Sequence, residues 1–513
     1  MNDEVLAARP AGRWALLRVE PERLVEQHPG VLLGIGMGLV LLGYAVPLVF
    51  PVATLVVGYQ VIDALVAGGW DALAGTAWSL GWMTLCASMS VSLWRLRVAE
   101  PGGEPLMQAQ APALFAAVED VRTTFQAPPI GDIHLTDTAR VGVQRVPRSG
   151  YPVGFRYVLL AGLPVLQCLT ADQFKCALAS ALGGLSVVRA DAAGWIGQLT
   201  QTWCQYQQAV AGQWTPAALL YRVFLAGYLP ALNALSARLE AGHRIRRDRY
   251  ALEIADDDLV AETMAGEVVM QRFLASHYWP TVYAAAEHSA TPSFKVFRNL
   301  EAIFRRRVDP ELIQVWLREA FVDKWRSDVQ DVGLKLRLQE IGHNDVQYRQ
   351  SEQASAAQTL LGASHQWIVD RCDARWAEEH REEWSAQHAK SQQQFGQLEQ
   401  LRTALRQHKL SGEEAMRYAA LVKRYGTEQE AIEAYDKILD MNPGDARINF
   451  GVGKFLLACR DARGVKILEH AMTLDKRYVE PACRLISGFT LDSRAQEHVR
   501  NRVRQHRDER DIA

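Results

Sequence analysis

Uncharged positions run without a break from Val31 to Ile62, longer than the roughly 20 apolar residues that carry a helix across a hydrocarbon core. The run predicts one transmembrane helix with slack, kinked or ended at Pro47 and Pro51, because proline lacks a backbone donor and clashes with the preceding turn. A second uncharged run, Ala72 to Trp94, follows a short connection that holds Asp63 and Asp71 but no Lys or Arg. Together they predict an N-terminal segment over 1–30 and a two-helix transmembrane hairpin over 31–95. Arg9, Arg13, Arg18 and Arg23 precede the hairpin and Arg95 and Arg97 follow it. The positive-inside rule then places both termini in the cytoplasm, the layout of an integral protein of the bacterial inner-membrane type. The run is too long for the apolar core of a cleaved signal peptide. Two buried helices of a soluble core are the alternative. A third apolar stretch, Pro216 to Leu235, is broken by Arg222 and contains Pro230, and fits a membrane or a protein core equally.

Past a Gly/Pro-containing linker at Glu100–Pro105 the pattern changes. Leu114–Phe125 has helical spacing, and Ile133–Leu135 and Tyr157–Leu160 read as short strands. Gln173–Val188 reads as a helix capped by Thr170, with Asp172 and Gln173 in the first turn. From Glu311 onward the chain is nearly all helix, and the strongly polar stretch Ala374–Gln407 predicts a solvated connector over 346–408. In the tail, 409–513, "AIEAYDKILDMNPGDARINFGVGKFLLA" is followed by "GVKILEHAMTLDKRYVEPACRLI", and Asn442-Pro443 recurs as Asp475-Lys476. That period resembles tetratricopeptide helix pairs, which leave a concave surface for a peptide or a partner helix. A helical cap on the preceding domain is the other reading. The fold class is therefore mainly α with a small β element.

With 513 residues the chain exceeds one core and predicts two or three folded units. The net charge of −2 and the lack of a basic block exclude a nucleic-acid partner. Seven scattered cysteines, with no CxxC pair, read as reduced packing residues in a chain facing the cytoplasm.

The segment "YVLLAGLPVLQCLTADQFKCALASALGGLSVV" is similar to the signature of the HtpX-type and CAAX prenyl protease-type membrane zinc metallopeptidases, peptidase family M-48. There a strand and a Gly-Leu-Pro turn lead into a helix reading "AVLAHELGHL". Laid on this chain without gaps, that helix is "CALASALGGL", Cys176–Leu185. The chemistry needs two His at i and i+4 to face one Zn²⁺, and a Glu beside the first to take a proton from metal-bound water. Those positions are Ser180 and Gly184 for the ligands and Ala181 for the base.

The family's third ligand, a Glu before an "ADrxA" motif, falls on Arg244, with Asp248, Arg249 and Ala251 matching the motif and Arg247 standing for its first Ala. A second register puts Leu252 at the ligand position. Further on, "WLREAFVDKWRSDVQDVGLKLRLQEIG" keeps Arg337, Leu338 and Gly342 of the family pattern, but Asp331 and Val332 replace its "HP".

The resemblance implies a zincin-like domain over 106–345 that has lost its zinc ligands and its catalytic base. The expectation is then no metal cofactor, a membrane location, and a protein or peptide partner held by the helical tail or the former cleft, in a scaffold or regulatory role in protein quality control. An active zinc endopeptidase acting on membrane or misfolded proteins is the alternative, which requires zinc and a relocated ligand set around His243, His134, His277 or His288. A membrane-tethered tetratricopeptide adaptor is the third reading. Ser180 as a nucleophile lacks a GxSxG elbow, and a small residue filling former ligand space accounts for it.

Overall fold

The computed structural model describes residues 29–68, 73–185, 192–292, 294–322, 333–344, 348–407 and 412–489. They divide into two compact units, one of the residues through Val282 with Ser293–His380, the other of Tyr283–Pro292 with the residues from Arg381 on. The described residues are mainly helical with one four-stranded sheet.

The first unit opens with α1 (Pro29–Gly68) and α2 (Leu73–Arg95), which pack as a pair with Met83 against Gly58. α1 continues through Pro47 and Pro51 instead of ending there. Its 40 residues span roughly 60 Å, about twice a hydrocarbon core. Among the described residues, two helical stretches are long and apolar enough to cross a membrane, Gly34–Ala67 and Pro216–Ser236. The expected second span, α2, is not one of them, because serines and threonines dilute it. Thr84, Ser88 and Ser90 turn their hydroxyls back onto the carbonyls of Leu80, Leu85 and Cys86, which satisfies them without water. The flanking residues Arg9, Arg13, Arg18 and Arg23 lie outside the described residues.

α6 (Ala192–Val210) and α7 (Pro216–Arg247) form a second pair against α1. Trp203 sits fully buried at the centre, ringed by Tyr206, Tyr221, Phe224 and Tyr228. The third apolar stretch is thus core on one face, through Tyr221, Leu225 and Leu229, and exposed on the other, through Leu219 and Val223. Arg222, which interrupts it, lies over Trp214 and donates to the carbonyls of Val210 and Gln213 at the end of α6, where a cation also complements the helix dipole.

Strands β1 (Glu104–Leu106), β2 (Ile130–Thr136), β3 (Val141–Pro147) and β4 (Phe155–Gly162) make a sheet in the order β1-β2-β4-β3. β2 and β4 are parallel; the outer strands pair antiparallel. The β3–β4 turn docks on the helices: Tyr206 donates to the Ser149 carbonyl at 2.9 Å, Tyr221 to that of Gly150, and the Gly150 amide to that of Leu93 at 3.0 Å. After β4, a Cβ at Gly162 would lie 2.1 Å from the Thr138 carbonyl oxygen, so only glycine fits the turn into α4 (Leu163–Cys168). Next comes α5 (Ala171–Gly183), with α3 (Pro112–Thr124) and α8 (Asp257–Phe273) against it.

In the second unit, α15 (Arg381–Arg406) is followed by α16 (Gly412–Tyr425), α17 (Glu428–Met441), α18 (Ala446–Ala458), α19 (Arg463–Leu474) and a helical stretch over 479–489. Thr427 and Glu430 form a capping box at the start of α17. The polar stretch expected to be one connector is divided between the units, because its tryptophans anchor it. Trp376 stacks on Trp279 in the first unit, and Trp384 donates to the Ser289 carbonyl at 2.9 Å in the second.

Candidate functional site

The site expected from the chain centres on the last turn of α5. The helix starts two residues before the expected Gln173, at a complete capping box: Thr170 Oγ1 accepts from the Gln173 amide and Gln173 Oε1 from the Thr170 amide. It ends at Gly183, with Gly184 as its cap, so the glycine pair closes the helix and does not lie within it. Residues 186–188 of the expected helix lie outside the described residues. Ala181 is buried, and Ser180 and Gly184 are half-buried.

Across from this turn runs the end of α7 and a 3-10 turn, Asp248–Glu253. Arg247 donates from Nε to the Ser180 carbonyl at 2.9 Å, and a Cβ on Gly184 would stand 3.3 Å from that same Nε. Tyr250 packs edge-on against Phe125 and lies so close to Gly183 that a Cβ there would meet its ring carbon at 2.3 Å. The residue expected at the third ligand position was Arg244. It lies on α7, with its side chain outside the described residues, and the guanidinium seen against α5 is that of Arg247.

The retained motif residues come together behind this contact. Arg337, on α12 (Leu334–Glu340), grips Asp248 with two bonds, Nε–Oδ2 at 2.7 Å and Nη2–Oδ1 at 3.0 Å, and reaches Glu267 at 3.3 Å. Arg249 pairs with Glu340 at 2.8 Å. Burial raises the Glu267 carboxyl above its usual range, with Arg337 pulling it back. Burial also works against the Arg337 charge, but the two carboxylates more than offset it. Cys176, on the same helix, has its thiol pushed up to about 11 by burial and packs as an inert group. Asp331 and Val332 lie outside the described residues.

These residues do not fit a zinc ion. A catalytic zinc takes three N, O or S ligands and an open position, and Ser180, Ala181 and Gly184 offer no imidazole, thiolate or carboxylate. A fixed guanidinium beside Gly184 opposes any metal charge there. Among the described residues, His134, His277 and His288 do not assemble a substitute. His134 is buried on β2, its Nδ1 3.2 Å from the Pro101 carbonyl oxygen, and His277 packs against Trp316. His288 is exposed in the second unit, and the side chain of His243 lies outside the described residues. Among the described residues, ligand atoms converge at Asp257, Asp258 and His343, with His343 Nε2 3.3 Å from Asp257 Oδ2. Both carboxylates there are exposed.

Sequence reasoning gave Arg247 no chemical role and passed over Tyr250 and Glu267. The signal for the first two was the adjacent pair Gly183-Gly184 on an apolar helix pattern, which marks close approach by another segment. Comparison with protein-family models, with curated proteins and with solved structures finds no match for the chain.

Proposed function

We propose that the chain is a membrane-anchored, non-catalytic binding protein built on the plan of the M-48 metallopeptidases. The observation that carries this reading is the Arg247–Ser180 contact, which sets a cation on the turn where that plan needs two imidazoles. A ligand helix without ligands, closed by an arginine and a tyrosine from the facing segment, supports a cleft kept for holding and not for hydrolysis. Asp248 and Arg337, the motif residues retained in sequence, make a buried clamp that keeps the facing segments in place.

In the same reading α1 and α2 form the anchor, with both ends on the cytoplasmic side. Exposed Trp78 and Trp82 stand near one end of α2 and exposed Trp94 near the other, roughly 24 Å apart by the 1.5 Å rise over 16 residues. Aromatic belts flank a hydrocarbon core of about 30 Å, a little more than that separation. The tail acts as tetratricopeptide-like pairs, α16 with α17 and α18 with α19, whose groove takes a protein segment. Gly453 and Gly464 let α18 and α19 approach closely: a Cβ on Gly464 would lie 2.7 Å from the Gly453 carbonyl oxygen.

Metal content of the detergent-purified chain by mass spectrometry, beside casein cleavage with and without chelator, tests the proposal. The expected result is neither zinc at one per chain nor chelator-sensitive cleavage. Finding both would make the chain a zinc endopeptidase and overturn the reading.

A further inference from the structure

Arg145 lies on β3, an edge strand of the sheet, with 6% of its surface exposed. Its Nη2 donates to Thr202 Oγ1 at 3.2 Å and its Nη1 to Gln198 Oε1 at 3.5 Å, and the guanidinium lies over the Phe155 ring, 3.9 Å from the centroid. All these partners are neutral. Among the described residues no carboxylate pairs with Arg145, and its Nε is buried without an acceptor. Arg337, the comparable cation elsewhere in the unit, is held by two carboxylates. A charge taken out of water without an opposite charge is strongly unfavourable. Burial accordingly pushes the Arg145 pKa down, although arginine keeps its proton in proteins.

One turn beyond Thr202, Gln205 is also 6% exposed, and neither its amide nitrogen nor its oxygen has a partner. Gln198, Thr202 and Gln205 stand at i, i+4 and i+7, one face of α6. A cation with an unfilled donor and an amide with two unfilled groups on one helix face point to a ligand with negative charge and several acceptor oxygens, which guanidinium recognises best as phosphate or carboxylate.

The surroundings select the source. Tyr44 of α1 stacks on Trp195 of α6, one turn before Gln198, and its neighbours Leu41, Leu42, Leu48 and Val49 are exposed apolar residues. An acyl surface and a cation therefore meet at one level of the helices, as in basic pockets that hold lipid headgroups. We propose that Arg145, Gln198, Thr202 and Gln205 bind the phosphate of an anionic phospholipid whose acyl chains lie along the exposed face of α1. This rests on the membrane reading of α1 and not on the state of the α5 turn.

The test uses the full chain in neutral detergent, with retained lipid counted by native mass spectrometry after exposure to phosphatidylglycerol or phosphatidylcholine. Flotation with phosphatidylcholine vesicles tests membrane insertion separately. One phosphatidylglycerol per chain is expected, with affinity at least roughly tenfold weaker in Arg145→Gln, an intermediate loss in Arg145→Lys, and no retained phosphatidylcholine. If Arg145→Gln does not fold, Thr202→Val and Gln205→Leu keep the charge and should each reduce phosphatidylglycerol binding. Equal retention of the two lipids, or undiminished binding in these variants, overturns the proposal. Binding of inorganic phosphate that blocks no lipid and is lost in Arg145→Gln makes free phosphate the ligand and overturns the lipid assignment.

Discussion

The Arg247 guanidinium donates from Nε to the backbone carbonyl of Ser180 across 2.9 Å. That carbonyl belongs to the last turn of α5, where carbonyl groups have no partner within the helix and carry partial negative charge. A cation there is what a helix C-terminus favours. A zinc-binding helix would meet the opposite demand on its side-chain face, since a metal brings its own positive charge. One residue thus stabilises the helix end and removes the electrostatic conditions for a metal.

Gly183→Ala is expected to destabilise the first unit by roughly 1–3 kcal/mol, the cost of overpacking. The added Cβ would stand 2.3 Å from the Tyr250 ring, behind which Phe125 is fixed edge-on. Alanine's better helix propensity, worth about 0.5–1 kcal/mol, does not offset that. Thermal unfolding of G183A, Y250A and the double variant checks it. The double variant should be more stable than the sum of the single changes predicts, and simple additivity would refute the contact.

Breaking the Arg337–Asp248 pair from one side should be costly. Asp248 is 4% exposed and accepts two bonds from Arg337, and removal of one partner leaves the other charge buried, typically a loss of about 3–5 kcal/mol. Arg337→Met is expected to lose more stability than Arg249→Met, whose exposed pair with Glu340 is worth about 0–1 kcal/mol. Denaturant unfolding of the two variants in parallel decides it, and equal losses would go against the buried-clamp reading.

Much of this was legible in the chain. Thr170 was legible as the cap of α5 because capping is local, the reciprocal bond from Gln173 was not sought, and the apolar runs of β2 and β4 gave strands. β1 has three residues, too few for a pattern, and Gly142, Arg145 and Pro147 break the alternation of β3. Asp248 and Arg337 stood out as motif residues, but their pairing joins positions 89 apart and is a product of the fold. Arg247 was given no role because it fills the motif's alanine position, where no chemistry was sought.

Asp373 should make the first unit less stable as pH rises. Burial raises its carboxyl above the usual range, although the Phe297 amide donates to it at 2.7 Å. With the folded pKa above the unfolded one, the folded state holds more proton between the two values. Stability therefore falls as pH climbs from the ordinary carboxylate range, near 4, through the folded pKa. Asp373→Asn cannot ionise, so its stability relative to the native chain should increase over that interval. A constant difference from about pH 4 to about pH 8 would show that Asp373 does not titrate in this way.

Restoring the two imidazoles should not by itself restore a metal site. Ser180→His and Gly184→His would place side chains at i and i+4 on one face of α5, the spacing that chelates zinc. The second would enter space where the Arg247 Nε lies 3.3 Å from a Cβ. Two unit charges about 4 Å apart at a partly exposed site repel by about 4 kcal/mol, and zinc carries twice that charge. Solvent and movement of the arginine reduce the effect, so a gain in zinc affinity of roughly tenfold or more is expected when Arg247→Ala is added to the two histidines. Zinc competition against a chromophoric chelator measures it. If the double-histidine variant binds zinc equally well with Arg247 present, the arginine is not what opposes a metal at this turn, and the loss of ligands alone accounts for the site.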